Sequence, residues 1–372
     1  MTNRDTAVSR REFLSAAGAA ALAASTARAD QSATEPKASK QTSDRKIRLG
    51  VVGGGFGATW AWHKHPNCEV VAVSDLQKPR RDNLMKAFQC KKSYESLEKL
   101  VKDDNVEAVA VFTDAPSHAK HTVECMKHGK HVICAVPAAT NIEDCHRIKE
   151  IKEKTGLKYM MGETSFFRRN VIHARNLYQK GQKLLYTEGQ YYHHRVTFIY
   201  SWKNWRRALP PMLYITHSSA FYVGVTRKRL TKVSCLGWNA AHVDDQWKKN
   251  VWDNNPFANE SAMFRTSEDT MCRINVFWWG HAHGETGSWI WEKRPTIKVP
   301  NSVSIPKGMP GGGHGGSHGP LADRFIMALI KDREPVVDVY EALAMTAPGI
   351  VAHQSALKGG EQMKVPVFDR KS

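Results

Sequence analysis

The chain has 372 residues, 41% of them hydrophobic and 24% charged, and its 54 lysines and arginines against 36 acidic residues give a formal net charge of +18. No run approaches the ~18 uninterrupted apolar residues of a membrane span, which argues against stable membrane insertion. So basic a balance favours anionic partners such as acidic sugars, polysaccharides or envelope polymers. A basic surface with no specific ligand is the alternative, and the absence of a recognition motif argues against nucleic acid.

In chain order, Ser9-Arg10-Arg11-Glu12-Phe13-Leu14 precedes a weakly apolar run from Ser15 to Ser25 and an Ala27-Arg28-Ala29 cleavage site. This pattern predicts a twin-arginine (Tat) signal over residues 1–29, recognised by the Tat export machinery, and a periplasmic or extracellular destination. That route carries folded proteins, so a nucleotide loaded in the cytoplasm can travel with its enzyme. Residues 30–45 are rich in Ser, Thr, Ala, Gln and Lys and are expected to form a disordered linker.

From Lys46 short apolar runs alternate with helical stretches. Strands are expected at Ile47–Val52, Glu69–Val73, Ala108–Phe112, His131–Ala135 and Lys158–Met161, with helices at Lys78–Phe88, Ser96–Lys102, His118–His128 and Ile142–Lys154. Alternation of this kind implies a doubly wound parallel sheet, an α/β nucleotide-binding domain over residues 46–165. Beyond Phe166 a helix is expected through Val171–Tyr178. Strand-like segments follow at Thr187–Thr197, Leu230–Leu236, Ser261–Thr266 and Cys272–Trp279, predicting an α+β second domain over residues 166–372 with a mainly antiparallel sheet. Met309–Pro320 reads as a glycine and histidine loop, and Leu321–Ile330 and Val339–Leu357 as helices. The seven cysteines contain no C-x-x-C pair and resemble neither a disulfide framework nor a zinc site; they are expected as small buried apolar residues.

The segment Gly53-Gly54-Gly55-Phe56-Gly57-Ala58 fits the Rossmann fingerprint G-x-G-x-x-A. Gly53 permits the tight turn, Gly55 lets the backbone approach a pyrophosphate, and the small Ala58 lets a following helix pack on the strand. Asp75, 22 residues after Gly53, ends the second strand, where a carboxylate accepts the ribose hydroxyls. NAD is therefore favoured, with Arg80 and Arg81 keeping NADP as the alternative.

With Ala115-Pro116-Ser117-His118, Gly129-Lys130-His131-Val132, the proline of Ala135-Val136-Pro137 and the run from Ala347-Pro348-Gly349 to Gly359-Gly360-Glu361, the whole mature chain resembles the Gfo/Idh/MocA superfamily of sugar and inositol oxidoreductases. The resemblance implies a nucleotide-binding domain followed by an open-sheet domain carrying the substrate site and often the oligomer interface, hence a homo-oligomer. It assigns Gly53, Gly55, Phe56, Gly57, Ala58, Asp75, Pro116, His118 and Pro137 to the cofactor. Dehydrogenases of the superfamily carry Glu-Lys-Pro, where this chain has Ala135-Val136-Pro137. They also carry Asp four residues before a catalytic His, where it has Leu213 before His217. A valine exchanges no proton, so only His217 of that apparatus remains.

Val136-Pro137, Tyr159-Met160-Met161, Glu188-Gly189 followed by Tyr191 and His193, Tyr214-Ile215-Thr216-His217 and Gly313-His314-Gly315-Gly316 are similar to the superfamily's NAD-dependent glycosidases, the retaining N-acetylgalactosaminidases. Their cycle oxidises a sugar carbon, eliminates the aglycone, adds water and returns the hydride, with no net redox change. The resemblance makes His217 the candidate acid/base, with Tyr214 and Tyr191 as further proton carriers or sugar-binding groups. His193, His314, His318 and Trp202 are candidates for the sugar. No metal is called for, since His314 and His318 have no clear carboxylate partners. Lys203, Arg206 and Arg207 form either a solvated basic loop or selectors of an acidic or sulfated sugar. The chain is therefore expected to be an enzyme with tightly held NAD that moves a hydride at a sugar carbon in a redox-neutral, glycosidase-like cycle; a conventional sugar dehydrogenase and a non-catalytic sugar-binding protein are the alternatives.

Overall fold

The computed structural model describes residues 44–194, 201–240, 247, 250–253, 255–279, 283–293, 295 and 303–370; the Tat signal and all but the last two residues of the linker lie outside them. The first sheet contains β1 (Ile47–Val52), β2 (Cys68–Ser74), β3 (Ser93–Tyr94), β4 (Ala108–Val111), β5 (His131–Cys134) and β6 (Tyr159–Met161), all parallel, in the order β3-β2-β1-β4-β5-β6. The central strands are apolar on both faces, as a sheet covered on both sides requires, and all of β4 is buried. Helices α1 (Lys78–Phe88), α2 (His118–Lys127) and α3 (Ile142–Thr155) supply crossovers. The order reverses between β1 and β4, and ligands of such sheets bind beyond the strand ends at that switch.

The second sheet contains β7 (Leu184–His193), β8 (Leu230–Asn239), β9 (Phe257–Thr266), β10 (Met271–Phe277), β11 (His283–Trp291) and β12 (Met363–Lys364), in the order β11-β7-β10-β9-β8-β12. Every neighbouring pair is antiparallel except β7 and β10. Along β9 the side chains alternate: Ala258, Ala262 and Phe264 are buried, while Met263 faces solvent. Leu236, Met271 and Ile290 are exposed too, so one face of this sheet is open.

Helix α4 (Arg169–Gln179) precedes the sheet, and α5 (His318–Ile330) and α6 (Val339–Leu357) lie between β11 and β12. Helix α5 returns to the first sheet: the Phe325 ring lies 6.5 Å from Trp62, and Asp323 meets the buried His65 at 3.3 Å. One apolar core therefore runs through both sheets. All seven cysteines are buried, unpaired thiols. No helix among the described residues is long and apolar enough to cross a membrane.

Three expectations are corrected. The fingerprint does not open an α-helix; the chain makes two 3-10 turns, Gly57–Thr59 and Trp62–Lys64. The spacing of the tryptophans gives the reason. Trp60 and Trp62, two apart, would point to nearly opposite sides of an α-helix, yet both are buried. Extended backbone at Trp60 lets them stack 5.4 Å apart, and Pro66 follows too soon for a helix to recover. The Gly/His loop is partly helical, with a turn at Gly313–Gly316 and α5 starting at His318. Strand β7 begins at Leu184, the residues after His194 expected to continue it lie outside the described set, and β3, β11 and β12 were not anticipated.

Candidate active site

At the end of β1, Gly53 has φ +99°, and a Cβ there would lie on the Phe112 carbonyl. Its N–H donates to the Ser74 carbonyl at 2.9 Å, and Gly57 N–H donates back to the Gly53 carbonyl at 3.1 Å. Asp75 Oδ2 accepts the Gly54 N–H at 2.7 Å and Oδ1 the Gln77 N–H at 2.8 Å, so the carboxylate is held at the turn. A Cβ on Gly54 would strike the Arg80 backbone, and Arg80 Nη1 lies 3.7 Å from where a Cβ on Gly55 would be. This cradle fits a dinucleotide. What differs is the anion end: a single 3-10 turn has little of the dipole that a full helix offers a phosphate. The small residue in the third place, Ala58, consequently has no helix to accommodate, and Gly57 instead packs against the Phe112 ring.

Phe56 reaches from this turn to the Phe112, His314 and His318 rings at 5.4, 5.6 and 5.4 Å. Pro116 lies in the 3-10 turn Ala115–Ser117 that leads into α2. His118 is buried, with Nδ1 2.7 Å from the Pro137 carbonyl and Nε2 3.1 Å from the Thr113 carbonyl. Burial lowers its basicity, and the one N–H of the neutral ring donates to a backbone carbonyl beside the Val136-Pro137 loop, which contains a cis peptide bond.

His217 sits in the helical turn Thr216–Ser219. Two features fix that turn. The Met212 N–H donates to the buried Glu260 Oε2 at 2.7 Å, and β7 has glycine at 189, where a Cβ would meet the Ser218 carbonyl. Glu163, two residues beyond β6 and fully buried, faces His217 Nδ1 with Oε1 at 2.8 Å, and the same oxygen accepts the Ser165 N–H at 2.7 Å. Glu163 Oε2 has no hydrogen-bond partner among the described residues. Glu285 on β11 accepts from Ser165 Oγ and, at 2.6 Å, from Arg168 Nε.

Burial alone would lower the His217 pKa, but the Glu163 and Glu285 charges and the Glu163 hydrogen bond raise it to about 10. Burial pushes the Glu285 carboxyl up, and His217, Arg168 and Ser165 together hold it below the usual range. The pairing favours the imidazolium form of His217, with Nδ1–H directed at Glu163 and Nε2 left for the cavity. Tyr191 and Tyr214 flank the ring at 4.8 and 5.3 Å between centroids. Burial foremost, then Tyr214 and Glu285, push the Tyr191 phenol well up.

A cavity of about 260 Å³ joins the two ends. Phe56, Phe112, Ala135 and Val136 line one wall, and Tyr191, Tyr214, His217, His193, His283, His314, Trp205 and Arg206 the other. Tyr191, Tyr214, His217, His193 and His314 thus come together as one site. Trp202 does not line the cavity; Trp205, three residues on, does. Nor does His318: its ring stacks on Trp60 at 4.5 Å, its Nε2 meets His314 Nδ1 at 2.9 Å, and burial holds its pKa at about 4. Glu163, Ser165, Arg168, His283 and Glu285 were not singled out from sequence. For Glu163 a signal existed, since it lies two residues past the last parallel strand, where crevice residues lie.

Residues 47–163 match the GFO_IDH_MocA model, described as an oxidoreductase family with an NAD-binding Rossmann fold. Glycosyl hydrolase family 109 protein 1 of Bacteroides thetaiotaomicron is 31% identical over 175 residues, 43% of this chain and 38% of its own length. The chain therefore matches about two fifths of that relative. A glycosyl hydrolase family 109 protein of Solibacter usitatus is 25% identical over an alignment covering 97% of both chains. Myo-inositol dehydrogenase from Lactobacillus casei, solved with NAD(H) and myo-inositol, superposes with a TM-score of 0.69 at 15% identity, covering 88% of this chain and 99% of that one. Residues 47–163 thus match that family's NAD-binding domain, and the chain as a whole shares the two-sheet fold of the inositol dehydrogenase.

Proposed function

We propose that the protein is an NAD-dependent enzyme that oxidises a secondary hydroxyl of a sugar, polyol or glycoside, with His217 as the proton-transfer group. The observation that carries this reading is one cavity bounded by the dinucleotide turn at Phe56 and by His217. A bound nicotinamide supplies hydride acceptance and return. Glu163 fixes the ring so that Nε2 exchanges a proton with a substrate oxygen, the part that Leu213 and Val136 cannot play. The imidazolium also stabilises negative charge developing on that oxygen, and Tyr191 and Tyr214 offer hydroxyl donors beside it. NAD bound to the inositol dehydrogenase and the carboxylate at Asp75 support NAD over NADP.

A second reading begins with the same oxidation. The ketone acidifies the neighbouring C–H, whose proton passes to a base of the enzyme as the aglycone leaves with a proton from an acid; water then adds across the double bond with return of a proton, and the hydride returns to the ketone carbon. An imidazolium at neutral pH and the full-length likeness to a glycosyl hydrolase family 109 protein favour it. On either reading residues 46–165 hold the nucleotide and residues 166–372 the substrate. The exposed Leu236, Met263, Met271 and Ile290 support self-association through the open sheet, and Ser9–Leu14 support export by the Tat route.

Mass spectrometry of the supernatant from the denatured protein tests for a retained nucleotide, and incubation with one sugar separates the readings. Lasting growth of reduced-nicotinamide absorbance marks a dehydrogenase. Solvent deuterium entering next to the reacting carbon without lasting absorbance marks the redox-neutral cycle. A protein that binds sugar but no nucleotide overturns both.

A further inference from the structure

The charged groups around the cavity do not balance. Arg168 is matched by Glu285 at 2.6 Å, and His217 by Glu163 at 2.8 Å. Both glutamates are thereby committed, and Arg206 remains. It is half-buried and makes no ion pair among the described residues. Its guanidinium lies 4.3 Å from the Trp205 ring centroid and 5.9 Å from that of Tyr214. Such aromatic contacts orient the plane of an arginine and leave its N–H edges free to donate. Beside it, the β7–β11 pairing sets His193 directly opposite His283, with ring centroids 4.1 Å apart. His217 is buried and His283 exposed, so the acid/base group occupies the floor of the cavity and the Arg206 guanidinium with the two imidazoles lies towards its mouth.

We propose that Arg206, His193 and His283 form a subsite for an anionic substituent of the sugar, a carboxylate or a sulfate ester. The inference rests on the reading above, that this cavity is where the sugar binds. The chemistry follows from the donors. A guanidinium fork gives two parallel N–H bonds to the paired oxygens of a carboxylate or sulfate, and the exposed His283 imidazole offers a further N–H. His193, with Nδ1 3.4 Å from the His194 carbonyl, packs against it as a wall of the subsite. A neutral sugar leaves a partly desolvated cation without a counter-charge, which is the penalty that makes such a site discriminate. Two oxyanions fit these donors; they differ in geometry, trigonal against tetrahedral, and are separated by experiment.

The test uses the full chain loaded with NAD and calorimetric titration with matched methyl glycosides of galactose and glucose. Each is supplied as the neutral sugar, the uronic acid and the 6-sulfate. At least one anionic form is expected to bind about tenfold or more tighter than its neutral parent, and the tighter of the two identifies the oxyanion. Arg206→Ala is expected to bring that form to the affinity of the neutral sugar, and Arg206→Lys to keep part of the advantage. Equal affinity for neutral and anionic forms overturns the subsite, and so does an advantage that survives in folded Arg206→Ala. The wild-type comparison decides alone if that variant does not fold. Neutral sugars that bind equally well and undergo hydride transfer leave the proposed function standing without the subsite. Preferential binding of an anion with no nicotinamide change and no deuterium exchange leaves the subsite standing without the proposed function. If no sugar binds, both are lost.

Discussion

Replacing Glu163 by Gln removes one negative charge 2.8 Å from His217 Nδ1 while keeping the side-chain shape. In the native protein the imidazole pKa is raised from 6.5 to about 10. At 1.36 kcal/mol per unit, and in keeping with other broken buried ion pairs, the charge interactions behind that rise are worth roughly 3–5 kcal/mol. The folded value lies above the unfolded one, so this contribution is complete below pH 6.5 and is lost as pH rises towards about 10. Wild-type stability should therefore fall across that window, and Glu163→Gln should be less stable at pH 7 with a much flatter slope. The same shift should appear in catalysis. Wild-type oxidation should rise with pH up to about 10 as the imidazolium gives up its proton, and in Glu163→Gln that limb should move down by more than one unit, at a reduced kcat. Urea unfolding at a series of pH values, paired with pH–rate profiles for oxidation and for the reverse reduction, reads both. A variant whose stability slope and alkaline limb match wild type would refute the proposed coupling of Glu163 to His217.

Three further outcomes follow from the same geometry. Arg80→Ala should weaken NAD(H) binding about tenfold, with reduced salt dependence and unchanged sugar affinity by fluorescence titration, because Arg80 Nη1 lies beside Gly55 where the short 3-10 turn offers a phosphate little dipole. Asp75→Ala should lower discrimination between NAD and NADP in the same titration, since it removes the carboxylate held at the turn by the Gly54 and Gln77 N–H groups. Gly189→Ala places a Cβ against the Ser218 carbonyl and should cost about 1–3 kcal/mol in thermal unfolding, with kcat falling more than affinity because the His217 turn is displaced.

Both sheets and most helices could be read from the chain because their signals are local. The all-apolar Ala108–Val111 marks a buried parallel strand, and the alternation along Phe257–Thr266 marks a sheet with one open face. The fingerprint misled for a local reason as well: G-x-G-x-x-A specifies the turn, whereas the helix after it depends on residues the pattern leaves open. Here those residues include Trp60 and Trp62, whose stack with His318 fills the space against α5. That stack depends on a residue more than 250 positions away, so no window around the glycines contains it.

The proposed acid/base site divides along the same line. His217, Tyr214 and Tyr191 lie in short recognisable segments, but the carboxylates that set the charge of His217 come from elsewhere: Glu163 from the end of β6 and Glu285 from β11. Glycines at 284 and 287 weaken the strand signal of β11, and its place beside β7 is a tertiary fact. Leu213 and Val136 taken alone suggest that the proton-transfer apparatus has been lost. The fold shows a carboxylate on the imidazole arriving from a different strand end, which orients His217 and favours its charged form. On the proposed reading that contact takes the place of the acid four residues before the histidine, and a search at that position would not find it.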